Sequence, residues 1–349
     1  MLLACDGKES AGPEPTPARD KVPLQIVSGI GSTTRAFDSS WESTDAIGVF
    51  TTVAGSGTDA TNNPYVVTMS GAYNDENIKY VFNGTAGNTQ TGGNATDGYT
   101  YTYQGFTPYA AQIFLPADGS DVDVYAYSPW TNGVTASSPL AISIPTSQTP
   151  DNQKATDVLK AKRVSTTQYP IDIDNYIAQL LFSHVLSKVI VKVKAGTGYN
   201  ANDLSGRTEV KFAGQPVSAT FAPITQALTI TDADQDVVAY KLESSDPDFS
   251  PETGVIHTYR ALLLPNDETN LSTKTTRKIV FTVGTAPNTI TYYYDLYNSN
   301  VTSGSPIVFE PGKVTVFTIT LQATGVSITA AISPWAESSS VPDAPLYEQ

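Results

Sequence analysis

The amino-acid sequence predicts an all-β protein built as β-sandwich domains, and three observations carry that prediction. Asp, Glu, Lys and Arg make up only 15% of the residues, and Thr, Ser, Tyr, Val, Gly and Asn fill the space that Glu, Lys and Ala take in helical proteins. Apolar and polar residues alternate with a period of two in short runs divided by Gly, Asn, Asp and Pro clusters, the pattern of half-buried strands joined by turns. At 349 residues the chain exceeds one ordinary core and suits two domains of about 150 to 170 residues each.

In chain order, Leu2-Leu3-Ala4-Cys5-Asp6 comes first. It resembles a lipobox, in which an apolar, a variable and a small residue precede the cysteine that receives diacylglycerol. Cys5 is the expected lipidation site, and the residues before it read as the stump of a signal peptide. As the sole cysteine it leaves no intrachain disulfide, so stability outside the cell must come from burial and strand pairing. Residues 6–20 are polar, Pro-rich and aperiodic, as a flexible tether would be, so residues 1–20 form a lipobox remnant and tether. No other apolar run approaches the roughly 18 residues that span a bilayer.

From Lys21 the pattern changes. Val22, Leu24, Ile26, Ser28 and Ile30 share one face of a first strand, and Pro23, Gln25 and Val27 share the other. Pro23 fits an edge strand or a strand start. Further strands are expected at 46–53, 65–69, 78–82, 111–115, 121–127 and 140–144, with the Gly-, Thr- and Asn-rich 84–98 as a solvated loop. Residues 145–174 are polar, with one helix-like or turn-like stretch over 155–162, and strand periodicity returns at Ala178. This divides an N-terminal domain, 21–176, from a C-terminal one, 177–349. The second half carries strands at 180–194, 209–212, 218–221, 228–231, 237–242, 256–264, 278–283, 289–296, 307–309, 314–323 and 326–332.

The chemistry-bearing residues are few. With 34 acidic against 20 basic residues the net charge is -14, which opposes binding to nucleic acid or anionic headgroups. The two histidines, His184 and His257, sit in strand-like runs and read as satisfied or surface strand residues and not as catalytic ones. No thiolate cluster exists, so zinc and iron-sulfur binding have no support and any metal must be a hard cation; no cofactor is expected. Asp232-Ala233-Asp234-Gln235-Asp236 starts like a calcium loop and Glu243 falls at loop position twelve, but Val237 stands where the turn needs glycine. An extended 237–242 would also carry Glu243 roughly 20 Å from the aspartates, so an acidic hairpin turn is expected. No carboxylate pair stands out for hydrolysis, and the chain does not read as an enzyme. The 19 tyrosines cluster: Tyr99, Tyr101 and Tyr103 would share a strand face, as would Tyr125 and Tyr127, while Tyr292, Tyr293 and Tyr294 would populate both. Such rows either stack on sugars and partner proteins or simply suit half-buried strands.

Five stretches, in order, resemble the Bacteroidia-type fimbrillin family. They are Thr34-Arg35-Ala36 with Trp41 and Asp45-Ala46-Ile47-Gly48-Val49-Phe50; Val124-Tyr125-Ala126-Tyr127-Ser128-Pro129-Trp130; Leu181-Phe182-Ser183-His184-Val185-Leu186-Ser187-Lys188-Val189; Leu262-Leu263-Leu264-Pro265-Asn266; and Ile332-Ser333-Pro334-Trp335. The resemblance implies two transthyretin-like β-sandwiches in tandem and export as a lipoprotein. It also implies removal of the first strand by an arginine-specific protease before polymerisation. Losing a core strand leaves an apolar groove and unpaired backbone groups that a strand from another subunit can fill. On that scheme Val22, Leu24, Ile26 and Ile30 form the displaced strand and Arg35 the cleavage position, since cutting at Arg19 would leave the strand in place. The alternating Val326, Ile328, Ala330 and Ile332 form the candidate donor, or else complete their own sandwich. The expected partners are other fimbrial subunits, host protein or glycan, and the outer membrane through a lipid anchor. The alternative is a monomeric surface lipoprotein holding glycan or host protein on its Tyr-rich strands or the 84–98 loop.

Overall fold

Period-two burial organises the chain, as in β9 (Ile177–His184), where every second residue from Ala178 is buried. The computed structural model describes residues 22–30, 41–55, 76–82, 90–93, 100–168, 170–204, 208–246, 248–249, 251–266, 276–285, 287–296, 307–323 and 325–334. Its first strands are β1 (Gln25–Ile30), β2 (Ala46–Val53), β3 (Ile78–Phe82), β4 (Gln90–Gly93), β5 (Thr100–Pro108), β6 (Val122–Ser128) and β7 (Leu140–Ser143). After α1 (Pro150–Thr156) come β8 (Leu159–Arg163), β9 and β10 (Ser187–Ala195), then the single turn α2 (Ala201–Leu204). The remainder is β11 (Thr208–Ala222), β12 (Ala227–Val238), β13 (Tyr240–Lys241), β14 (Val255–Leu263), β15 (Lys278–Thr285), β16 (Asn288–Asp295), β17 (Lys313–Gln322) and β18 (Gly325–Pro334). The architecture is all-β.

The strands form three sheets. One runs β1-β9-β8-β6-β2-β3-β5-β4, and β5 pairs back onto β1, so that all but β4 close into a ring. The second runs β13-β14-β10-β17-β18, and the third β12-β11-β15-β16 with β7 on the far half of β11. Sheet partners change after His184: β9 stays in the ring although it lies beyond residue 176, and β7, which precedes that position, belongs with β11.

The core follows from which way β2 and β6 face. Ile47, Val49, Val124 and Ala126 enter the ring core with Leu24, Ile26, Phe106 and Phe182. Their neighbours Phe50, Tyr125 and Tyr127 point out of the ring into a larger cluster with Leu186, Phe212, Phe281 and Phe317. Every residue of β6 is therefore buried. Each such large apolar side chain contributes about 1.5–3 kcal/mol by leaving water. Gly48 permits the join, since a Cβ there would lie 2.3 Å from the Tyr127 ring.

Several expectations change on local grounds. Residues 111–115 bury Ile113 and Leu115 but form no ladder. Their partner is the 22–24 segment, where Leu24 N–H donates to Ile113 O and Leu115 N–H to Val22 O, each at 2.8 Å, while Pro23 opposite Phe114 has no N–H to give. Part of the 84–98 segment is β4, an arm on β5. The helix lies earlier than expected because Thr149 caps it, accepting from Asn152 N–H, with Pro150 in the first turn. Residues 159–163 are strand, with Leu159 and Ala161 buried. The run 180–194 is two strands, broken where Val185 N–H donates to Val158 O at 2.8 Å.

The aspartates of 232–236 correct the expected hairpin turn. They lie within β12, opposite Gln215 and Pro216, where β11 is bulged and Gly214 adopts φ +63°. The bulge falls where β11 changes neighbours, from β15 over 208–213 to β7 over 218–221. Asp236 accepts from Lys211 Nζ at 2.8 Å and from Gly214 N–H at 3.2 Å, and the lysine holds its carboxyl below the usual range.

A buried charge cluster ties α1 to β10 and β14. Arg260 donates to Gln153 at 2.8 Å, to Asp246 at 2.7 Å and to Asp248 at 2.9 Å, and Lys188 donates to both Asp248 oxygens at 2.9 and 3.1 Å. Gln153 donates in turn to Gln148 at 2.7 Å, and Gln148 exchanges bonds with the Leu262 backbone at 2.7 and 2.8 Å. Burial pushes the Lys188 ammonium down, against the pull of Asp248. Burial also pushes the Asp248 carboxyl up, but Lys188 and Arg260 outweigh it and hold it below the usual range.

Candidate functional site

The strand that closes the ring, β1, is the structural feature best suited to a function of assembly. It runs parallel to β9 from Gln25↔Ile177 to Ile30↔Phe182, and antiparallel to β5 at Ile26↔Phe106, Val27↔Gly105 and Ser28↔Gln104. Upstream the pairing continues, with Gln25 N–H donating to Tyr176 O at 2.8 Å and the Gln112 side chain donating to Leu24 O at 3.0 Å. Leu24 and Ile26 are each 1% exposed in the ring core, Val22 packs at its margin, and Ser28 is fully buried. Val27 is buried on the opposite face against Ile177 and Leu181. Pro23 thus marks a strand start and not an edge.

Both walls of this position belong to the rest of the chain. Taking β1 away opens the ring, strips the facing backbone groups of β5 and β9, and uncovers Phe106, Ile113, Ala178, Leu180 and Phe182. A slot of that kind accepts one extended strand, with backbone bonds on both sides and pockets for alternate side chains.

The other expected site residues divide as follows. Cys5 and Arg35 lie outside the described residues, as does Arg19. Ile30 pairs with Phe182, and its side chain also lies outside them. Val326, Ile328, Ala330 and Ile332 lie in β18, opposite Leu321, Ile319, Phe317 and Thr315 of β17. β18 ends its sheet, with β17 as its neighbour among the described residues. The displaced-strand and donor residues therefore sit in different sheets of one chain and are not brought together.

What the sequence reading missed is the pair of walls. Phe106 and Phe182 line them, and the parallel β1–β9 ladder joins segments about 150 residues apart with no hairpin to announce it.

The remaining candidates, the tyrosines and histidines, are placed as follows. Tyr125 and Tyr127 are buried, and Tyr127 takes Asn77 and Thr131 as partners. Tyr99 and the side chains of Tyr101 and Tyr103 lie outside the described residues. Tyr293 is 64% exposed beneath Lys278 Nζ, 4.7 Å from its ring centre, while Tyr292 bonds Tyr199 through their hydroxyls at 2.8 Å. His184 pairs with Asp157 at 2.8 Å, both side chains under 5% exposed. His257 Nε2 bonds Leu204 O at 2.9 Å. Among the described residues no group of three His, Cys, Asp or Glu is placed to hold a metal, and no helix is long and apolar enough to cross a membrane.

His257 carries a pH prediction. Burial holds its imidazole below the ordinary 6.5. The folded state then binds the proton less readily than the unfolded chain, so the stability it supports is complete above 6.5 and is lost as pH falls through the lower folded value. Urea unfolding of the protein and of His257→Gln, compared at about pH 7.5 and about pH 5.5, should show the wild-type advantage shrinking toward acid. An advantage that grows toward acid would contradict the assignment.

Three comparisons bear on this geometry. A family model described as fimbrillin-like matches residues 34–335. A Bacteroides uniformis protein bearing the name of a fimbrium subunit, Fim1C, is 27% identical over 338 residues, covering 96% of this chain and 91% of its own. Among solved structures, a protein from Bacteroides uniformis described as a cell adhesion protein aligns with a TM-score of 0.61 at 22% identity, over 92% of this chain and 100% of that one. One of the same description from Bacteroides ovatus aligns with a TM-score of 0.56 at 20% identity, again over 92% and 100%. These two likenesses are of fold.

Proposed function

The chain belongs to the fimbrillin-like family, and on that premise we propose that it is a structural and adhesive subunit of a cell-surface fimbria, assembled by strand exchange at the β1 position. Membership of a family of fimbrial subunits makes it a component of a surface appendage and not an enzyme. In the proposal, lipid on Cys5 holds the exported chain at the outer membrane, residues 6–20 form the tether, and cleavage at Arg35 frees β1. Other fimbrial subunits are the direct partners, and host protein or glycan is the adhesion target. Two transthyretin-like domains meet close to residues 176 and 177, with β9 kept by the first and β7 lent to the second.

The observation that carries this reading is the placement of β1. A strand bonded on both sides, with Leu24, Ile26 and Ser28 buried on one face and Val27 on the other, is one whose loss the fold cannot leave unfilled. The sequence of β18 supports the choice of replacement. Set Val326 on Leu24 and the two strands agree in kind at five of seven positions, LQIVSGI against VSITAAI, with Val27 falling on Thr329 and Ser28 on Ala330. Ile328 falls on Ile26, Ile332 on Ile30, and Ala330 on Ser28, whose fully buried side chain leaves room for a small residue.

An arginine-specific protease gives the test. The purified protein should be cut after Arg35 and then convert to a ladder of oligomers, and Arg35→Ala should keep residues 22–30 joined to the rest of the chain and stay monomeric by mass spectrometry and size exclusion, even where Arg19 is cut. No cut between Ile30 and Phe37, together with no polymer, sinks the assembly reading.

A further inference from the structure

Trp41 is 6% exposed and meets two phenylalanines edge-on: Phe106 at 5.1 Å and 87°, and Phe182 at 5.1 Å and 85°. Phe106 belongs to β5 and Phe182 to β9, the two walls of the β1 position, where they stand opposite Ile26 and Ile30. One ring therefore bridges both walls without using β1. The indole N–H finds no acceptor among the described residues, so the ring is held there by packing.

From this geometry we infer that Trp41 is a positioning residue which keeps the vacated slot one strand wide. The inference rests on the strand-exchange reading. Trp41 lies six residues beyond Arg35, on the part of the chain that cleavage retains. Once β1 leaves, β5 and β9 lose their shared ladder and are free to splay or to collapse on each other. Trp41, seated against both Phe rings, holds their separation. The incoming strand, from a second copy of this chain, then meets a groove already shaped for it and the cost of ordering the walls is avoided.

The test uses the full chain cut at Arg35 and a synthetic peptide of residues 325–334. Peptide capture is followed by mass spectrometry and by Trp41 emission, with Trp130→Phe and Trp335→Phe in the background. Trp41→Ala should capture the peptide about tenfold more slowly than the parent, the worth of two aromatic edge contacts, and Trp41→Phe should recover to within about threefold. A merely structural role would lower the urea midpoint of the uncut chain yet leave capture per folded molecule unchanged, and that result overturns the inference. Should Trp41→Ala fail to fold, Phe106→Leu and Phe182→Leu each break one side of the bridge, and both must slow capture. If the parent itself takes up no peptide, the strand-exchange reading fails and the role of Trp41 falls with it. If the parent captures and the variants match it, only the role of Trp41 is lost.

Discussion

Arg260→Ala is expected to cost about 3–5 kcal/mol of unfolding free energy, the usual loss when one member of a buried ion cluster is removed. The size follows from what stays behind. Arg260 is 1% exposed and neutralises Asp246 and Asp248, whose side chains are 8% and 24% exposed. Without it Asp246 loses its cation, Asp248 must share Lys188 alone, and Gln153 loses a donor. Buried acceptors left without donors are more costly than the original bonds were favourable. The exposed pair Lys154–Glu42, 2.7 Å apart with side chains 45% and 46% exposed, is the control. Lys154→Ala should cost at most about 1 kcal/mol, because water and salt screen it. Equilibrium urea unfolding of both variants decides the matter: a loss at Arg260 no larger than that at Lys154 would mean that the cluster is not a tie between α1, β10 and β14.

That cluster was not legible in the sequence, for a physical reason. Lys188 and Arg260 occupy strand positions where a charge ordinarily faces water, and nothing local to either says that Asp246 and Asp248 fold over them. Burial of an ion is a property of the tertiary neighbourhood, 60 residues from Lys188 in the case of Asp248. Where one strand decides its own fate, the reading fared better. The 78–82 run is β3 at those residues, and 46–53 is β2, because each alternates or saturates with β-branched and aromatic side chains.

The misplaced helix had a local cause in the Thr149 cap, but at two other positions a partner outvoted the local pattern. Residues 232–236 look like a turn by composition, yet β11 opposite them is long enough to hold them in a ladder, and the true turn lies at 223–226. Residues 111–115 look like a strand, yet their partner is Pro23. For the candidate site, the alternation of Leu24 and Ile26 announced a buried strand, and the structure buries both. The walls, β5 and β9, come from distant sequence and could only be seen once the ring was closed.

Ile26→Ala should have the other large effect, and it separates the strand's burial from its use. Ile26 is 1% exposed, paired with Ala178 on one side and Phe106 on the other. Truncating a buried isoleucine costs about 2–5 kcal/mol, since the lost transfer energy is joined by the cavity left behind. In the uncut chain this loss should appear as a lower urea midpoint. In the chain cut at Arg35, β1 is held by contacts alone, so the same loss becomes faster release of the severed strand, roughly a hundredfold for about 2.7 kcal/mol. Gln25→Ala is the matched control, because Gln25 is the exposed neighbour and its backbone bond to Tyr176 O survives the change. Mass spectrometry of the retained fragment over time gives the release rate, and addition of the 325–334 peptide shows whether the vacated position is refilled. Faster release with faster refilling is the outcome that strand exchange requires, since departure of β1 is then the gate to assembly. If Ile26→Ala keeps its severed strand as long as Gln25→Ala does, β1 is not held by its core residues, and closing of the ring cannot be the step that assembly reverses.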